Sequence, residues 1–95
     1  MIKVSRTDNS IKIEGHAHYA EAGRDIVCAA VSALVQSLIQ SVEELTADKI
    51  QYSMQPGTVD INFGNLSEQA QLLVSSFFVG VEMIASGYPD NVQII

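Results

Sequence analysis

One cysteine, Cys28, and two histidines, His16 and His18, make up all the thiol and imidazole chemistry of the chain. All three lie in one segment, Gly15-His16-Ala17-His18-Tyr19-Ala20-Glu21-Ala22-Gly23-Arg24-Asp25-Ile26-Val27-Cys28. A thiol attacks a carbonyl carbon as the thiolate. It therefore needs a base that becomes the positive partner of an ion pair and later protonates the leaving amine. His16 is the first candidate for that base and His18 the alternative. The same three side chains could instead ligate a metal, because an H-x-H on a strand faces one way. A second cysteine and a third histidine are both missing as a fourth ligand, so the expectation is a site with no metal and no cofactor.

The cysteine's place along the chain favours the thiolate. Asp25 is a good helix N-cap, which makes Ile26, Val27 and Cys28 the first helical positions. Cys28 then lies where unsatisfied N–H groups and the positive end of the helix dipole favour an anion. Asp25 can accept a bond from the Cys28 N–H, although its own charge opposes a thiolate nearby. Helix-start N–H groups are also candidate donors for an oxyanion hole. Ser32 falls one turn below Cys28 on the same helix face and could orient the site or bond its own backbone. Gly15 and Gly23 flank the loop and could hinge it over a peptide. Against all this stands the plain alternative that Cys28 is a small buried hydrophobe in an alanine-rich helix start.

The elements that position these residues follow from hydrophobic periodicity. Ile2 and Val4 alternate with polar neighbours, as do Ile11 and Ile13, with Asp8-Asn9-Ser10 between them, which predicts a hairpin. From Asp25 to about Thr46, Val27, Val31, Leu34, Val35, Leu38, Val42 and Leu45 mark one face of a long helix. A second hairpin places Ile50, Tyr52 and Met54 before Gln55-Pro56-Gly57 and Val59, Ile61 and Phe63 after it. A second helix runs from about Ser67 to Ser86 on Ala70, Leu73, Val74, Phe77, Val81 and Ile84, capped by Asn65 or Ser67 and stopped by Gly87 and Pro89. Val92 to Ile95 can add a short final strand. The order ββαββα predicts one α+β domain over residues 1–95, an antiparallel sheet with two helices packed on it.

Composition narrows the function classes. With 95 residues and 47% hydrophobic content the chain can build one core. A lone cysteine forms no internal disulfide and points to a reducing, cytoplasmic setting. The N-terminus alternates like a strand and lacks the apolar run of a signal peptide. The richest apolar stretch, Ile26 to Val35, reads as too short for a bilayer. Eleven acidic residues against five basic ones give a formal charge of −6. Nucleic acid is then a poor partner, whereas a basic protein or peptide is attracted.

The segment Gly15-His16-Ala17, then five residues, then Gly23-Arg24-Asp25-Ile26-Val27-Cys28-Ala29-Ala30-Val31-Ser32 resembles the signature of the ribosomal-processing cysteine proteases, the YsxB-like family. Chain length, element order and Tyr88-Pro89 near the end fit as well. The resemblance implies a dimeric cytoplasmic protease that removes a short N-terminal extension from a basic bacterial large-subunit ribosomal protein, cutting after an aromatic residue. It implies His16 and Cys28 as the catalytic dyad and Asp25 and Ser32 as supporting residues. Two other readings compete: a non-enzymatic ribosome-associated binding module with an inert Cys28, and a redox-sensing thiol, which usually needs a resolving cysteine.

Overall fold

The computed structural model describes residues 1–95. The elements are β1 (Ile2–Arg6), β2 (Ser10–Glu14), α1 (Ile26–Leu45), β3 (Gln51–Gln55), β4 (Thr58–Asn62), α2 (Glu68–Gly87) and β5 (Val92–Ile94). Period-two alternation becomes a shared face through the register. Val4 pairs with Ile13, Ile13 with Val59, and Ile11 with Ile61, so these side chains line one side of the sheet. Lys3, Ser5, Lys12 and Asp60 take the opposite, polar side. Both helices cover the apolar face, and all 18 buried residues are hydrophobic. Apolar burial therefore holds the fold, and polar chemistry is left to its loops.

The strand order is β3-β4-β2-β1-β5. The expected antiparallel sheet is corrected at one edge: β5 runs parallel to β1, so the sheet is mixed. The reason is the connection. α2 carries the chain from β4 across the face to the far edge, and such a crossover returns the strand in the same direction.

The helices depart from expectation in detail. Ile39 joins the buried face of α1, whereas Leu45 is 69% exposed at its end. Phe78 is buried beside Phe77, and the Arg6 guanidinium sits 4.6 Å from the Phe78 ring centroid. Ser67, not Asn65, caps α2 by accepting from Ala70 N at 3.2 Å. The Asp48 carboxylate accepts from both Ser67 N and Ser67 Oγ at 2.7 Å, tying the exit of α1 to the start of α2. Those bonds hold the Asp48 carboxyl below its usual range, the hydroxyl bond first and the backbone bond next, with burial opposing. Every β3 residue is exposed, including Tyr52 and Met54, because this edge strand lies beyond the helix layer. Apolar character also continues past Val35: both 20-residue helices are long and apolar enough to cross a bilayer by length and composition. In this fold each lays one face on the sheet instead.

Candidate active site

β2 ends at Glu14, and Gly15 turns the chain with φ +97°, its N–H donating to Gly57 O at 2.8 Å. A side chain here would overlap the Met1 carbonyl oxygen, so the turn needs glycine. His16 follows, exposed, with its carbonyl accepting from the Met1 ammonium at 2.6 Å. Ala17 is only 1% exposed, its methyl group part of the core. The Ala17 N–H donates to Cys28 Sγ at 3.3 Å, and the Ala17 carbonyl accepts from Asn91 Nδ2 at 2.9 Å. The end of β2 is thereby fastened directly to the first turn of α1.

Asp25 caps that helix as expected and does more. One carboxylate oxygen accepts from Val27 N at 3.0 Å and Cys28 N at 2.9 Å. The other accepts from Tyr19 N at 3.0 Å and Ala20 N at 3.3 Å, folding the loop back onto the helix start. The Asp25 carboxyl is held below its usual range, chiefly by the Cys28 N–H. Burial opposes that effect, and the Ala20, Tyr19 and Val27 N–H groups add to it. Tyr88 meets Tyr19 edge-on at 5.2 Å and anchors the same loop. Asp25 also corrects the expected oxyanion hole. Its side chain engages the Val27 and Cys28 N–H groups, and its carbonyl accepts from Ala29 N, so these donors are occupied. The thiol's hydrogen bond comes from Ala17.

Two cavities meet at the thiol. A cleft of about 610 Å³ is lined by His16, His18, Asp25, Ile26, Cys28 and Ser32 among others. A second space of about 290 Å³ runs under the β3–β4 turn between Ile13, Val31, Val35, Met54 and Val59. His16, Cys28 and Ser32 line both. The structure thus brings together His16, Cys28 and Ser32, with Asp25 behind them at the cap. The thiol is half-buried and Ser32 exposed. The imidazole does not hydrogen-bond the thiol in this structure; such contacts often close when substrate binds. His18 has φ +55°, unusual for a non-glycine residue, and its ring centroid lies 5.9 Å from that of His16. These histidines and Cys28 are not gathered into a group that could hold a metal ion.

A family model described as cysteine protease Prp matches residues 1–93. The chain belongs to the Prp family of cysteine proteases. It is 30% identical over 96 residues to the ribosomal processing cysteine protease Prp of Mycoplasma genitalium, covering 99% of this chain and 94% of that one. It is also 30% identical over 92 residues to the same-named protein of Bacillus subtilis, covering 90% and 82%. A Streptococcus mutans crystal structure superposes with a TM-score of 0.81 at 30% identity, covering 98% of this chain and 89% of that one. The Staphylococcus aureus Prp solved with a covalently linked product peptide superposes with a TM-score of 0.89 at 24% identity, covering 98% and 94%. The α+β architecture is that of the Prp structures, and membership makes the chain an enzyme, a cysteine protease, rather than an inert binding module.

Sequence reasoning missed two residues of this Prp site. Gly57, read only as a turn residue, has φ +78°, and a Cβ there would stand 3.0 Å from His16 Nε2. Asn91 grips Ala17 from 74 positions away. A positive-φ signal in Pro56-Gly57 was available locally. Nothing near Asn91 announces its partner.

Proposed function

We propose that the chain is an endopeptidase that removes a short N-terminal extension from a bacterial large-subunit ribosomal protein during ribosome assembly, with Cys28 as nucleophile and His16 as general base. The observation that carries this reading is that the only cysteine, a histidine and a backbone N–H donor converge where two cavities meet. In the first step His16 takes the thiol proton, and Sγ bonds to the scissile carbonyl carbon. The tetrahedral intermediate then collapses, breaking the C–N bond as His16 returns the proton to the leaving amine. Water activated by the same imidazole hydrolyses the thioester. Asp25 supports this by fixing the helix start and the loop, and Ser32 by lining both cavities alongside the thiol. Gly15 and Gly23 are the hinges at which the loop closes on a bound peptide.

Substrate choice has two supports. The relatives are named for ribosomal processing, and ribosomal proteins are basic, so a chain of charge −6 draws them by opposite charge. The apolar-lined cavity beside Cys28 suits one large apolar side chain next to the cut bond, an aromatic one by the family resemblance. We place the enzyme in the cytoplasm, acting as a homodimer without cofactor, nucleic acid or membrane. An exposed stripe on α2, Leu72 at 71%, Val79 at 58% and Met83 at 71%, supplies apolar surface for a subunit contact. A monomer in sedimentation at micromolar concentration would remove the dimer. Cys28→Ala and His16→Ala variants should each lose cleavage and keep the fold. Retained cleavage by either would overturn the assignment.

A further inference from the structure

We infer that Asn91 is a positioning residue for the thiol, acting through Ala17; this rests on Cys28 being the nucleophile proposed above. Gly15 turns the chain with φ +97° just ahead of the site, the Met1 ammonium holds the His16 carbonyl at 2.6 Å, and one point beyond it is held on three sides. Ala17 is that held point. Its methyl group is buried, its N–H reaches Cys28 Sγ at 3.3 Å, and its carbonyl takes the Asn91 side-chain amide at 2.9 Å. Asn91 is itself a fixed arm. Its backbone N–H donates to Tyr88 O at 3.0 Å, its carbonyl accepts from Ile2 N at 2.8 Å, and Val92 after it is buried at the start of β5.

Stitching β5 to the sheet does not require this contact. β5 already pairs with β1 through Ile2, Lys3 and Val4, and Ile95 N donates to Val4 O at 2.8 Å. The side-chain amide instead reaches Ala17 and, together with the Met1 ammonium on the His16 carbonyl, sets where the Ala17 N–H is presented. That N–H is the hydrogen-bond donor on the sulfur, where charge develops when the thiol gives up its proton and attacks.

The test uses Asn91→Ala and Asn91→Asp, the second keeping the shape while replacing a donor with an acceptor. Rates of Cys28 alkylation by iodoacetamide are measured from about pH 5 to 9, alongside kcat and KM on an extended-substrate peptide and thermal unfolding. Both variants should be alkylated several-fold more slowly near neutrality. Their kcat should fall about tenfold with KM nearly unchanged, as expected when a reacting group is misplaced by a fraction of an ångström. A purely structural role would lower the unfolding temperature and leave alkylation at the wild-type rate, and that result overturns the inference. Variants with reduced stability are assayed below their own midpoints, where the same two outcomes apply. Alkylation needs no peptide, so failure of the parent enzyme to cut would refute the substrate reading and leave this test intact.

Discussion

Gly57→Ala separates what the β3–β4 turn contributes to folding from what it contributes to catalysis. An L-residue held near φ +78° costs about 1–2 kcal/mol relative to glycine. For a domain of this size each kcal/mol lowers the unfolding temperature by about 4–8 °C, so the expected loss is about 4–16 °C. The added Cβ would stand 3.0 Å from His16 Nε2, inside the 3.4 Å at which ordinary contact begins. The ring must retreat by a few tenths of an ångström. If a displacement of about 1 Å costs on the order of a hundredfold, this shift lowers kcat about three- to sixfold. Gly23→Ala is the comparison: φ is +84° there, and nothing lies within 4 Å of the added Cβ. It should lose similar stability while alkylation of Cys28 continues at the wild-type rate. Calorimetry, alkylation and peptide kinetics read all three effects. A Gly57→Ala enzyme that melts lower yet keeps the parent's kcat and alkylation rate would refute the claim that this turn confines the His16 imidazole.

Acid should act through Asp25. Its folded carboxyl lies below the unfolded value, so its stabilisation is present above that unfolded value, near pH 4, and is lost as pH falls through the folded one. Thermal melts should therefore show Asn at position 25 (Asp25→Asn) costing stability near neutrality, with the gap to the parent narrowing in strong acid. A gap constant with pH would contradict the capping account. Replacing the proposed aromatic residue before the cut bond by alanine should remove roughly 2–3 kcal/mol of apolar burial, a fall in kcat/KM of about thirty- to a hundred-and-fiftyfold. Added salt should slow cutting of basic substrates through the on-rate, and peptide kinetics at two ionic strengths check both points.

Local signals carried much of this molecule. The spacing of Val27, Val31, Val35, Leu38 and Val42 located α1 and its buried face, and Asp25 declared its own cap. Those two features alone put Cys28 in the first helical turn, and the loop between two glycines returned the chain so that His16 lines the same cavities. What escaped depends on contacts distant in sequence. Whether β5 runs with or against β1 is decided by where α2 delivers it, which no period encodes. Phe78 flanks the stripe, four residues after Val74, and meets Arg6 and the Phe77 ring there, contacts that the period does not show. Tyr52 and Met54 alternate like inward residues, yet the helix layer stops short of their strand. Helix-start N–H groups looked free until the geometry showed one carboxylate engaging two of them.

The central claim is that Cys28 and His16 cut a ribosomal protein precursor at one bond. The direct measurement is incubation of the purified enzyme with the extended large-subunit ribosomal protein, followed by mass spectrometry of the products. One cleavage is expected, after an apolar aromatic residue near the N-terminus, absent with Cys28→Ala and with His16→Ala. An intact precursor with active parent enzyme, or the same cleavage by the Cys28→Ala variant, would contradict the account.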